Sequence, residues 1–159
     1  MSNPMINKTS LVKPHWNQDD VNNAEAVLEF VQLLMNDHNF NAITDRYKGK
    51  PYKQHNRNIA DNIEGVVKAV GDLVKNAPEF SYDVKQVHVD GEHVILHSHA
   101  TLKKAHRGDD SQGLNIMDSW KVVDGKLVEH WDAVQGISGS MRLYGLFTGG
   151  KVRNDNGVF

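Results

Sequence analysis

The 159-residue chain contains no cysteine. That absence removes disulfide scaffolds, thiolate-held zinc, cysteine-held iron–sulfur clusters and thiol nucleophiles. Long apolar runs are missing as well. No stretch approaches the roughly 18 consecutive apolar residues of a membrane-spanning helix. The segment from Met1 to Trp16 carries Lys8 and Lys13 but no apolar core of the kind a signal peptide needs. These two absences predict a cytoplasmic protein with no membrane partner. Basic charge is not in excess: 18 Lys+Arg stand against 20 Asp+Glu, a formal net charge of −2. A nucleic-acid binder would show a positive footprint, so none is expected here. Histidine, in contrast, is plentiful, with nine residues. Imidazole titrates near neutrality and both donates and accepts hydrogen bonds, so imidazole and carboxylate are the groups available for chemistry. At this length one compact domain is expected, able to bury a core without covalent staples.

The first half reads as helical. Ala24, Val27, Leu28, Val31, Leu34, Met35 and His38 recur at the spacing of one helix face, which predicts a helix from about Asp19 to His38 with Asn17 as its cap. A shorter helix is expected over 41–47, ended by Gly49 and Pro51. Tyr52 to Asn56 then reads as a short extended segment. A third helix begins at Asp61, where Glu64 three residues on suggests a capping box, and ends at Asn76-Ala-Pro78.

The second half changes to a period of two. Phe80, Tyr82 and Val84 alternate, and Val87 and Val89 alternate in the opposite phase, which predicts a β-bulge near Lys85–Gln86. Asp90-Gly91 and Asp124-Gly125 are tight-turn signals. Strands are expected over 93–102, 114–123 and 126–134. Helices followed by hairpin-joined strands give an α+β fold with the helices packed on one face of the sheet.

The second turn fixes an expected register. Pairing Val123 with Lys126 sets Trp120 opposite Glu129 and Asp118 opposite Trp131 on one face of the sheet. Asp118 then sits among apolar and aromatic neighbours, where desolvation makes a carboxylate a stronger base. The same parity sends His130 and Asp132 to the other face unless a bulge intervenes. His97 and His99 share a strand face, and Tyr52, His55 and Asn56 cluster before the third helix.

Taken together, Tyr52-x-Gln-His-Asn56, His97-x-His99, Asp118-x-Trp-Lys and Asp124-Gly-Lys-Leu-Val-Glu-His-Trp-Asp132 resemble the SnoaL-like, polyketide cyclase-like branch of the nuclear transport factor 2-like superfamily. The similarity spans roughly residues 20 to 136. It implies a cone-shaped α+β barrel, with three N-terminal helices on a strongly curved, mixed but mainly antiparallel sheet, and a homodimer formed through the sheets. It implies acid/base chemistry with no cofactor: aldol condensation, cyclisation or a related proton transfer on a small carbonyl compound, of lyase or isomerase type. Carried onto this chain, Asp118 is the acid/base and His97 and His99 hold the oxygen that gains charge. Tyr52, His55, Asn56, Trp120, Glu129 and Trp131 line the pocket. No metal site is expected. Two alternatives remain open: a non-catalytic small-molecule binding module of the same fold, and a metal enzyme using His97, His99 and a third ligand such as His55. The expected layout is an extended arm over 1–16, the domain over 17–136, and a tail over 137–159 that docks on the domain or on a partner subunit.

Overall fold

A computed structural model describes residues 4–148 and 151–159. Residues 1–3 of the expected arm and residues 149–150 of the expected tail lie outside the described residues. The rest of the arm is not wholly extended. It contains one helical turn, α1 (Lys8–Leu11), which buries Leu11 in the core.

Helix α2 (Gln18–Val31) starts where its cap predicts. The Asn17 side chain accepts from the Asp20 N–H at 2.9 Å, and the Asp20 carboxylate accepts from the Asn17 N–H at 3.1 Å. This reciprocal box satisfies two of the donors left open at a helix start. Ala24, Val27, Leu28 and Val31 form the buried face. The helix does not run on to His38 as an α-helix. It widens into a π-helical turn over Gln32–Asn36. Two buried polar side chains of this turn bond outside the helix. Asn36 accepts from the Tyr82 N–H at 2.8 Å and donates to the Tyr82 carbonyl at 3.2 Å, while Gln32 accepts from the Ile6 N–H at 2.9 Å and donates to Asp37 at 2.7 Å. Asn36 thus ties the helix to the start of the sheet.

Helix α3 (Phe40–Tyr47) buries Ile43 and Tyr47, and helix α4 (Asn62–Asn76) buries Ile63, Val66 and Val70. The capping box expected at the start of α4 does not form. The Asp61 carboxylate turns away from the helix and accepts from the Gln54 N–H at 2.9 Å and the Asn156 side chain at 2.8 Å. Gly65 allows the chain to fold over the helix start. A Cβ there would lie 1.9 Å from the Ala60 carbonyl oxygen.

The sheet has five strands: β1 (Lys53–Gln54), β2 (Ser81–Asp90), β3 (His93–Thr101), β4 (Leu114–Val123) and β5 (Lys126–Gly136). Their order across the sheet is β1-β5-β4-β3-β2, with β1 parallel to β5 and every other pair antiparallel. The bulge expected in β2 is present, between Val84 and Gln86. Asp124 and Gly125 both take positive φ, 49° and 69°, as a two-residue hairpin turn of this kind requires.

A second bulge, in β5, was not expected. Val122 pairs with Leu127 as predicted, but Lys121 pairs with Glu129, so Val128 has no partner. Beyond it the register moves by one: Trp120 faces His130, Ser119 faces Trp131, and Asp118 faces Asp132. The cause lies in what must be buried. Leu127 and His130 both face inward, yet they are three residues apart, and alternation brings two residues to one face only at even separations. One extra residue restores the phase.

Both bulges bend the sheet around the helices. Phe30 contacts the rings of Tyr47, Tyr52 and Trp120 at centroid distances of 5.5, 6.3 and 6.2 Å, closing the core at one end. Helix α5 (Gly139–Thr148) follows β5 and leaves Leu143, Leu146 and Phe147 exposed. Among the described residues, no helix is long and apolar enough to cross a membrane.

Candidate functional site

Between α4 and the inner face of the sheet lies a cavity of about 180 Å³. Val66, Val70 and Leu73 of α4 form one wall; Ile116, Asp118 and Trp120 of β4 and His130, Asp132 and Val134 of β5 form the other. Phe30, Tyr52 and Tyr82 add aromatic surface, and Gln54 adds a single amide.

The polar centre is a chain of three buried groups. The Gln54 side-chain oxygen accepts from the Asn56 N–H at 2.7 Å. A backbone N–H can only donate, so this bond sets which way the amide points. His130 Nδ1 lies 3.1 Å from that same oxygen and must therefore carry a proton. The other ring nitrogen, Nε2, then faces Asp118 Oδ1 at 3.2 Å. One proton is needed at this contact, held either by the carboxyl or by an imidazolium. Asp118 is 2% exposed and His130 6%. The imidazole also stacks on Trp120 at 4.7 Å, which fixes its plane.

Two atoms of this chain have no hydrogen-bond partner: Asp118 Oδ2 and Gln54 Nε2. One is an acceptor and the other a donor, and both residues line the cavity. Buried polar atoms without partners are costly, so their survival in a cavity wall points to a ligand that completes them. Burial pushes the Asp118 carboxyl above its ordinary value; the His130 hydrogen bond and charge pull it down, and the Asp132 carboxylate pushes it up again, with a net rise. Burial, followed by the Asp118 and Asp132 carboxylates, pushes the Tyr82 phenol well above its ordinary value, so it stays protonated. Asp132 is held by Asn56, whose side-chain N–H group donates at 2.9 and 2.7 Å.

Other residues expected in the pocket lie elsewhere. His97 and His99 are on the outer face of the sheet. Leu96, on the alternate face of the strand, is the residue opposite Asp118, while His97 pairs with Met117, which is 41% exposed. His97 Nε2 bonds Asn115 at 2.7 Å and His99 Nε2 bonds the Gln112 carbonyl at 2.8 Å. The alternating face of β3 that carries Val94, Leu96 and Ala100 takes the core side because burying it removes more apolar surface from water. The β5 bulge likewise turns Glu129 and Trp131 outward. There they join His55, which lies 2.8 Å from Glu129 and stacks on Trp131 at 4.7 Å. Tyr52 and Trp120 do line the cavity, with the Trp120 indole N–H donating to the Tyr52 hydroxyl at 3.1 Å. Asn56 reaches the site through Asp132.

Among the described residues, no metal centre is assembled from His97, His99 and His55: their Nε2 atoms bond Asn115, the Gln112 carbonyl and Glu129 respectively, and they form no common cluster. Asp118, His130 and Asp132 do offer ligand atoms within 4.8 Å of one another. Asp132 accepts from Asn56, Asp118 Oδ1 and His130 Nε2 are bonded to each other, and Asp118 Oδ2 has no partner.

Three residues of the cavity wall stand outside the expected set. His130, a second-rank candidate by strand parity, and Asp132 come inward through the intervening bulge at Val128, and Gln54 carries no signal beyond its place in the Tyr52–Asn56 segment.

Residues 27–130 match the SnoaL-like domain family. No curated protein matches the chain. Among solved structures, a provisionally assigned polyketide cyclase from Bacillus cereus is similar with a TM-score of 0.64 and 18% identity, over 85% of this chain and 87% of that one. AclR, a provisionally assigned hydroxylase from Streptomyces galilaeus, gives 0.60 and 18% over 81% and 96%. A provisionally assigned SnoaL-like polyketide cyclase from Jannaschia gives 0.59 and 16% over 90% and 99%. At these identities the likeness establishes the cone-shaped fold. The different reactions ascribed to the three proteins leave the chemistry to be argued from the site.

Proposed function

The chain belongs to the SnoaL-like domain family, and from that premise we propose that it is a cofactor-independent acid/base enzyme acting on a small carbonyl compound. The observation that carries this reading is the Asp118 carboxyl group: buried, with Oδ1 against His130 and Oδ2 unpartnered at an apolar cavity. When the shared proton rests on His130, Asp118 is a carboxylate in a desolvated setting, which suits it to take a proton from carbon. Oδ2 removes the proton α to the carbonyl, and the C–H electron pair moves into the enolate. The enolate either attacks a second carbonyl of the same molecule, forming the C–C bond of an aldol cyclisation, or is reprotonated at carbon. In both cases Asp118 returns the proton. No electrons are exchanged with a cofactor.

The test is hydrogen–deuterium exchange at the α-carbon of small ketones in D₂O, followed by NMR. The reading requires exchange catalysed by the protein, insensitive to a chelator, and lost in Asp118→Asn. Binding without exchange would make the chain a ligand-binding module instead. A homodimer paired through the sheets is part of the same proposal. It is supported by Ile95, Met117 and Trp131, which together occupy the outer face of β3, β4 and β5. Light scattering at micromolar concentration tests it, and a monomer would refute it.

A further inference from the structure

We infer that the substrate is a neutral molecule of about one ring, with a single carbonyl in the cavity whose oxygen is held by the Gln54 amide N–H. The inference rests on the acid/base reading above and narrows it from cyclisation of a long chain to enolisation of a compact ketone.

Size comes first. The cavity is about 180 Å³. An apolar cavity of about 150 Å³ holds one benzene, whereas pockets for drug-sized ligands run to roughly 300–1,000 Å³. The enclosed part of the ligand is therefore limited to roughly seven or eight non-hydrogen atoms on the benzene scale. A fused polycyclic chain would not be enclosed.

Charge comes next. Among the described residues that line the cavity there is no Lys or Arg, and two carboxyl groups, Asp118 and Asp132, face it. An anion placed there would lose its hydration and meet like charge, and the only cation it could find, a protonated His130, is already paired with Asp118. Carboxylate and phosphate substrates are excluded on this ground.

Polarity of the wall sets the rest. Gln54 is fully buried and its oxygen is committed to Asn56 and His130, so its N–H₂ has no role inside the protein. A carbonyl oxygen supplies the missing acceptor. On enolisation the charge develops on that same oxygen, and the Gln54 N–H bond strengthens as it does. The C–H proton goes to Asp118 Oδ2, the pair of electrons goes to the oxygen through the new C=C bond, and reversal of the step returns both. The apolar side chains of α4 offer no donor, so on that wall a second carbonyl would go unpaired; the protonated Tyr82 phenol is another donor that faces the cavity.

Three neutral or charged probes of graded size decide the matter on the full chain: cyclohexanone, cyclohexanecarboxylate and 1-decalone, assayed by NMR binding and by α-proton exchange. Cyclohexanone should bind and exchange, the carboxylate should not bind, and decalone should bind more weakly than cyclohexanone. Gln54→Glu keeps an oxygen for His130 and Asn56 but removes the donor. It should lower exchange by about 10²–10³-fold, the usual effect of losing one oxyanion donor. Circular dichroism matching the unmutated chain will show that the variant folds. Equal binding of the carboxylate, tighter binding of decalone, or full exchange by a folded Gln54→Glu overturns the inference. Exchange that persists in Asp118→Asn overturns instead the acid/base reading on which it rests, so the two failures are told apart.

Discussion

His130 and Asp118 face one another at 3.2 Å with a single proton between them, because Gln54 holds the other imidazole nitrogen as a donor. The contact is inside the core, where water cannot substitute for either partner. It divides the two oxygens of Asp118 between a fixed internal bond and a buried atom with no partner beside the cavity. The consequences of that division can be measured.

Asp118→Asn should abolish exchange and stabilise the fold at neutral pH. The activity loss is expected at about 10²–10⁴-fold, the range for a positioned acid/base. The stability gain follows from the direction of the carboxyl shift. Burial raises the folded-state value above the unfolded one. A group shifted that way contributes its stability in full below the unfolded value and loses it as pH rises through the folded value. The loss is complete above the folded-state value, and an Asn amide, which can donate to His130 Nε2, avoids it. Thermal unfolding from pH 4 to pH 8 should show the variant's advantage growing toward higher pH. An advantage that is largest in acid would contradict the assignment.

His130→Phe preserves the stack on Trp120 but removes the bond and charge that pull the Asp118 carboxyl down. Asp118 should then ionise at higher pH. The acid limb of the exchange rate against pH should move upward, with the residual maximum well below that of the unmutated chain. An acid limb that stays in place would mean that a different group sets it.

The C-terminal segment holds β1, with Gln54, and the chain just after it, with Asn56. Asn156 donates to the Gln54 carbonyl and to Asp61, each at 2.8 Å, and Asn154 donates to the carbonyls of Asn56 and Ile59 at 2.8 and 2.7 Å. Replacing both with Ala should destabilise the fold by about 1 kcal/mol for each part-buried hydrogen bond lost, and by less for the exposed bond to Asp61. Hydrogen exchange at the His55 amide, which donates to the His130 carbonyl at 2.9 Å, should speed up more than exchange in β3. A uniform rise across the sheet would indicate general destabilisation rather than a loosened β1.

How much of this was readable beforehand depended on whether a residue's side of the sheet was chosen by packing or by chemistry. The bulge at Lys85 was visible because apolar residues on both sides of it, Val84 and Val87, change phase. The bulge at Val128 was invisible because the residues it turns inward, His130 and Asp132, are polar, and hydrophobic alternation says nothing about them. The inward face of Asp118 was legible from Ile116 and Trp120. His97 and His99 were drawn toward the site by residue type, although Val94 and Leu96 marked the opposite face as the buried one. The capping box at Asp61 failed for a related reason: its carboxylate is engaged by Gln54 and Asn156, residues distant in sequence from the helix it starts.

Deleting Val128 tests the register directly. Without it, Leu127 would be followed by Glu129 in an unbroken ladder, so Val122 with Leu127 and Trp120 with His130 would still be facing pairs. Parity is unchanged, because His130 then lies two positions from Leu127 and returns to the same face. Only the extra twist of the bulge is lost. The deletion should therefore keep exchange above the level of Asp118→Asn, with weaker ketone binding as the sheet flattens beneath the cavity. Inserting Ala after Val128 tests the pairing instead. His130 then lies four positions from Leu127, so an unbroken ladder keeps it on the inward face but slides it along the sheet, opposite Asp118 rather than Trp120. The stack on Trp120 and the bond to Gln54 are lost, and exchange should fall even where circular dichroism shows a folded chain. If the deletion is as inactive as the insertion while remaining folded, the site depends on the bend at Val128 and not only on which residues it pairs.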